Sequence, residues 1–298
     1  MIINDYISWL KYNRNFSQYT IWNYRRSLVL LDEYIKKVSL WIRTIEDVEK
    51  INILDLDGFV RSERLKGKDV RTCNWYLAWI KVFLRYCLIL WKDVLDYRTV
   101  IYWREVKKKI ESLTEEECKS LIDYFRKRKA DTPQREIIKT RDLLIAQLLL
   151  YTGLRVSELS HLKVEDVGEV MQIIGKGGRR RPINLFREDL KLIDLYLYMR
   201  KEESERLLIS HSGNSRGKRL STVSIENIIR EGAKNAWISG KVFPHKLRHT
   251  FATNLLRGKA NIFHIQQLLG HNSVHTTQNY ITVLNSECRE TQENLRRY

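Results

Sequence analysis

Val170-Met171-Gln172-Ile173-Ile174-Gly175-Lys176-Gly177-Gly178-Arg179-Arg180-Arg181-Pro182-Ile183-Asn184-Leu185 is where this sequence changes its period. Val170–Ile174 and Arg181–Leu185 are short and β-branched-rich, and Gly175, Gly177 and Gly178 separate them, which predicts a β-hairpin. On both sides of it apolar residues recur every three to four positions, the spacing of one helical face. Toward the C-terminus this predicts helices at about 188–203, 221–236, 245–257, 261–269 and 275–282. Toward the N-terminus it predicts a short helix at Arg155–Leu162 and longer ones at about 136–151 and 115–129. Gly153 is placed to stop the second of these. Thr114 and Glu117 have the spacing of a reciprocal cap at the start of the last.

Farther upstream, residues 5–14, 18–38, 54–66 and 70–91 carry the same helical spacing. In the fourth, Trp75, Leu77, Trp79, Ile80, Phe83, Leu84, Cys87 and Leu88 form a wide apolar stripe, flanked by Arg71, Lys81, Arg85 and Lys92. Those cations are either a solvated rim around an aromatic core or a face laid on DNA phosphates. Residues 92–113 lose the pattern and include Arg104, Lys107, Lys108 and Lys109. The expected fold is therefore mainly α. A helical domain at 1–95, a basic linker at 96–111 and a mixed α/β, mostly helical domain with one small hairpin at 112–298 make it up, the last ending in a polar tail at 286–298.

Lysine and arginine number 53 against 36 acidic residues, a formal charge of +17. A surplus of that size favours a polyanionic partner, because each phosphate contact releases counterions. No segment approaches the roughly 20 consecutive apolar residues that cross a bilayer. The N-terminus has no basic-then-apolar leader pattern, so a cytoplasmic location without membrane contact is expected. Cys73, Cys87, Cys118 and Cys288 form no C-x-x-C pair and have no closely spaced histidine, so neither zinc nor a disulfide framework is indicated.

Four separated segments carry the chemistry. In Thr152-Gly153-Leu154-Arg155-Val156-Ser157-Glu158-Leu159 an arginine enters a helix with a glutamate one turn on. That is either a surface ion pair or an arginine aimed at a phosphate by a carboxylate. Gly175-Lys176-Gly177-Gly178-Arg179-Arg180-Arg181 is either a solvated basic turn or a tip that approaches DNA closely, with a lysine able to protonate a leaving oxygen. It lacks the spacing of a nucleotide-binding P-loop. In His245-Lys246-Leu247-Arg248-His249-Thr250-Phe251-Ala252, positions 245, 248, 249 and 252 share one helical face. The helix start also offers free amides to a phosphate. Leu268-Leu269-Gly270-His271 is followed by Tyr280, nine positions after His271.

The order Arg155, Lys176, His245-x-x-Arg248, His271, Tyr280 resembles the tyrosine recombinase (phage integrase) family, and within it the Xer-like single-chain enzymes. The resemblance covers roughly 112–283; the first 95 residues match only in length, helicity and basic character. It implies a site-specific recombinase that cleaves and rejoins double-stranded DNA through a 3′-phosphotyrosyl intermediate, with no metal or other cofactor. On that reading Tyr280 attacks the phosphorus, Arg155 and Arg248 clamp the non-bridging oxygens and His245 accepts the phenolic proton. Lys176 protonates the leaving 5′-oxygen, His271 bonds a non-bridging oxygen and Glu158 orients Arg155. Arg179, Arg180 and Arg181 contact DNA, the two domains clamp it, and the tail is exchanged between subunits. A dimer on one site and a tetramer in the synapse follow. Two other readings stay open at this point: a type IB topoisomerase-like nicking-closing enzyme, and a helical DNA-binding or architectural protein without catalysis.

Overall fold

Helical periodicity organises both halves of the chain. The computed structural model describes residues 2–14, 16–38, 42, 44–90, 92–105, 112–174 and 180–270. The chain divides into two compact units, Met1–Lys108 and Lys109–Tyr298.

The first unit holds α1 (Ile2–Arg14), α2 (Gln18–Val38), α3 (Ile53–Leu65) and α4 (Val70–Ile89). Each turns one apolar stripe inward: Ile2, Tyr6 and Leu10 from α1, Tyr24, Leu28, Leu31 and Ile35 from α2, and Tyr76, Leu77, Ile80, Phe83 and Leu84 from α4. Tyr6 meets Phe83 edge-on at 5.1 Å between ring centroids, at the aromatic centre of the core. Asn52 caps α3 by accepting from the amides of Leu54 and Asp55, and Asp69 caps α4 by accepting from Arg71.

The linker expected at 96–111 is corrected over 96–105. Val94 and Val100 join the first core, with Leu95, Tyr97 and Trp103 packed against it. The Asn74 side chain on α4 accepts from the Trp103 amide at 2.9 Å and donates to the Trp103 carbonyl at 2.8 Å. Lys81 donates to the Val100 carbonyl at 2.9 Å. Irregularly spaced apolar residues make no helical stripe, so they read as linker. They can still follow a groove as a strap whose backbone is satisfied by side chains.

The second unit runs α5 (Glu115–Lys127), α6 (Pro133–Thr152), α7 (Val156–His161), strands β1 (Val170–Ile174) and β2 (Arg180–Asn184), α8 (Arg187–Met199), α9 (Thr222–Asn235), α10 (Pro244–Arg257) and α11 (Ile262–Leu269). α6 is the buried axis, with Leu144, Ile145, Leu148 and Leu149 in the main core. The reciprocal cap at α5 forms as its spacing indicates: Thr114 accepts from the Glu117 amide and Glu117 accepts from the Thr114 amide. β1 and β2 pair antiparallel with Ile173 opposite Arg181, and their inward positions alternate. Between α8 and α9 the chain makes isolated bridges, Ile209 with Arg219 and Ser210 with Arg216, around fully buried Leu207 and Leu208. Runs that short carry no readable period. The helix expected at 275–282 lies outside the described residues.

Candidate active site

The site begins at a backbone reversal. α6 ends at Gly153 with φ +62°, and a Cβ there would stand 2.4 Å from the Phe251 ring. Only glycine allows both the left-handed turn and this approach to α10. The reversal delivers Arg155 to the start of α7. Glu158, one turn on, accepts the Arg155 amide through Oε2 at 2.8 Å and Arg155 Nη1 through Oε1 at 2.8 Å. Arg155 Nη2 donates to the Gly270 carbonyl at 3.1 Å. About a third of the Arg155 side chain (34%) stays exposed, so an anchored guanidinium still presents an open edge.

Arg248 reaches the same place from α10. It is 2% exposed. Its Nη1 donates to the Gly153 carbonyl at 2.6 Å, and its Nη2 donates to the Leu269 carbonyl. Both arginines are thus gripped by main-chain oxygens, and Arg155 in addition by the Glu158 carboxylate, which it shares with a second arginine.

His245 stands one turn before Arg248, exposed at the surface, with its ring 4.2 Å from that of His249. Partial desolvation of the ring by the surrounding protein, then the positive charges of Arg248 and Arg155, hold its pKa below the ordinary histidine value of 6.5. His245 is therefore neutral at pH 7 and able to accept a proton. The folded form resists protonation, so the acid limb of a cleavage-rate profile should have its midpoint below pH 6.5. A His245→Gln variant should lose that limb, and a limb that survives the substitution would assign it to another group.

Arg181 is corrected. It was expected to contact DNA with Arg179 and Arg180, but it is 5% exposed and points into the protein. Nε donates to the Leu268 carbonyl at 2.7 Å, Nη1 to Glu158 Oε1 at 2.9 Å and Nη2 to Glu158 Oε2 at 2.7 Å. The reason is strand alternation: Arg181 shares its face of β2 with Ile183, while Arg180 faces outward. Burial alone would raise the Glu158 pKa. Hydrogen bonds from Arg181, the Arg155 amide and the Arg155 guanidinium outweigh it and bring the value down to about 2. The stabilisation from this ionised carboxylate is present above its ordinary pKa of 4.5 and is lost as pH falls from there toward 2.

Three successive carbonyls at the end of α11, those of Leu268, Leu269 and Gly270, accordingly accept Arg181, Arg248 and Arg155. A helix C-terminus has unpaired carbonyls and partial negative charge, and here guanidinium groups from three other elements satisfy them. Gly270 closes the helix at φ +60°, and a Cβ there would lie 3.1 Å from Arg181 Cδ. Of the expected site residues, the fold brings together Arg155, Glu158, His245 and Arg248. Arg180 is exposed nearby in sequence on β2. Lys176, Arg179, His271 and Tyr280 lie outside the described residues. On α4's basic rim, Arg71 pairs with Glu105 and Lys92 with Glu49, while Arg85 is exposed.

The second unit presents anchored guanidinium groups beside an imidazole whose pKa is held below its ordinary value, an arrangement chemically suited to a phosphodiester. Residues 111–287 match the phage integrase family, and residues 3–88 match the N-terminal SAM-like domain of phage integrases. The tyrosine recombinase XerA of Pyrococcus furiosus is 35% identical over 240 residues, covering 79% of this chain and 78% of that protein. The tyrosine recombinase XerC of Leptospira interrogans is 28% identical over 295 residues, covering 96% and 89%. Among solved structures, XerA recombinase aligns with TM-score 0.53 and 27% identity over 99% of this chain and 98% of that one. XerH bound to a palindromic difH substrate aligns with TM-score 0.73 over 94% and 80%; at 22% identity this speaks to the fold alone. The chain belongs to the phage integrase family and is a tyrosine recombinase, a site-specific enzyme that breaks and rejoins DNA. Neither the topoisomerase-like reading nor the non-catalytic one finds support.

Proposed function

We propose that this recombinase works by transesterification at one phosphodiester of double-stranded DNA, with Arg155 and Arg248 as a fixed clamp on the non-bridging oxygens. The observation that supports it is the anchoring of both guanidinium groups by backbone carbonyls of the α11 end, beside a neutral His245. A phosphodiester anion repels nucleophiles. Two fixed positive charges offset that repulsion and stabilise the more crowded, more negative phosphorane-like transition state. The Tyr280 phenolic oxygen forms a bond to phosphorus as the bond to the 5′-oxygen breaks. The phenolic proton passes to His245, and Lys176 gives a proton to the departing 5′-oxygen. His271 bonds a non-bridging oxygen. The products are a 3′-phosphotyrosyl link and a free 5′-hydroxyl. The covalent link conserves the energy of the broken bond, so the reverse step rejoins the strand without a nucleotide cofactor.

Arg179 and Arg180 are assigned to the DNA backbone, consistent with the +17 charge. XerH has been solved on a palindromic difH substrate, and lambda integrase as a dimer on a core site. By analogy this chain takes a specific recombination site as a dimer and joins two sites as a tetramer, with residues 286–298 exchanged between subunits. Among the described residues no helix is long and apolar enough to cross a membrane, and the proposed place of action is the cytoplasm. The test is covalent trapping. On a nicked suicide substrate carrying the recombination site, a protein–DNA band should form in excess chelator and without ATP. A band that disappears in chelator and returns with magnesium would overturn the arginine-clamp mechanism.

A further inference from the structure

We infer that Arg181 is a positioning residue for the reaction, setting the guanidinium of Arg155 from behind. The inference rests on the clamp reading above.

Among the described residues the Arg155 side chain has two anchors, Glu158 Oε1 on Nη1 and the Gly270 carbonyl on Nη2. Arg181 holds the first directly and grips the chain two residues before the second. Its fork takes both oxygens of Glu158, so β2 fixes the carboxylate plane together with the Arg155 amide on Oε2. Glu158 Oε1 is shared between Nη1 of Arg181 at 2.9 Å and Nη1 of Arg155 at 2.8 Å. Arg181 Nε also holds the Leu268 carbonyl at 2.7 Å, two residues before the carbonyl that anchors Arg155. The missing side chain of Gly270 leaves room for the Arg181 stem to pass.

The fork restrains Glu158 in a second way. A glutamate left alone with one arginine tends to take it in a two-bond pair. With Arg181 already on both oxygens, Glu158 offers Arg155 a single side-chain bond, which leaves the rest of that guanidinium for a phosphate. Without Arg181, Glu158 draws Arg155 inward. Lysine cannot replace the fork, because an ammonium is a point donor without the planar two-bond geometry. Arg181 also lies opposite Ile173 in the hairpin register, one pair from the loop end, so one buried side chain ties the hairpin, α7 and the α11 end together.

The experiment is single-turnover cleavage of a suicide substrate by the full chain, comparing wild type, Arg181→Lys, Arg155→Ala and the double variant. Arg181→Lys should slow cleavage about 10–100-fold, the scale of a misplacement of about 1 Å at a reacting group. DNA affinity and its salt slope should stay at wild-type values, because the side chain does not face DNA. The double variant should cleave no more slowly than Arg155→Ala alone, since Arg181 acts through Arg155. Glu158→Gln loosens the same fork and should show the same non-additivity, which keeps the test available if Arg181→Lys does not fold. Independent, multiplying losses in either double variant would overturn the inference. So would wild-type cleavage by Arg181→Lys, or a salt slope reduced by about one phosphate contact. Full-rate cleavage by Arg155→Ala would instead remove the clamp reading itself, whatever Arg181 does.

Discussion

Tyr280→Phe should abolish covalent complex and recombination while leaving DNA binding intact. The substitution removes one phenolic oxygen and keeps the ring. No oxygen then remains to attack the phosphorus, and the expected loss is complete. Tyr24, Tyr76 and Tyr151 are the controls. Tyr24 and Tyr76 are buried in the first core, and Tyr151 lies at the exposed end of α6. Their Phe variants should remain active. The measurement is a denaturing gel of the suicide-substrate reaction. A trapped band with Tyr280→Phe would move the nucleophile elsewhere and reopen the reading of the C-terminal segment.

Loss of Arg248 should have the next largest effect, in two parts. On the clamp reading a charged contact to the transition state is removed, which should cost roughly 10²–10³-fold in cleavage, or about 3–4 kcal/mol. The Gly153 and Leu269 carbonyls also lose a buried donor. An unsatisfied buried carbonyl typically costs about 1–3 kcal/mol, so Arg248→Ala should lower the thermal midpoint as well as the rate. Arg248→Lys separates the two. It keeps the charge and part of the stability but cannot hold both carbonyls in one plane, so it should fold better than the alanine variant and still cleave slowly. Cleavage at the wild-type rate by either variant, measured on folded protein, would place the second phosphate contact on another residue.

The helices and the hairpin were legible because burial imposes a period on the sequence. α2 and α4 each turn one stripe inward, and that stripe is visible in the order of residues. The segment 92–105 was not legible for the opposite reason. It packs as an irregular strap, held by Asn74 and Lys81 through its own backbone, and backbone acceptors leave no mark on residue identity. The same limit hid the carbonyls of Leu268, Leu269 and Gly270. Arg181 is a different case. Within Arg179-Arg180-Arg181 the three residues look equivalent, and charge alone assigns them one role. The β2 alternation separates them, since residue 181 falls in phase with Ile183 and Leu185 and Arg180 does not. That signal was present and outweighed by charge. The pairing of Arg155 with Glu158 was readable from spacing, whereas the second arginine on Glu158 came from a strand far away in sequence.

The three guanidinium groups collected on the last turn of α11 bear on the temperature dependence of the reaction. A free arginine side chain carries about 2 kcal/mol of rotational entropy. Here much of that freedom is surrendered when the second unit folds, before any DNA arrives. The cleavage step then has none of these three side chains left to order, and their contribution to its activation entropy should lie near zero. Loosening any one of the three attachments should turn that entropy negative, and the rate should fall with little change in activation enthalpy.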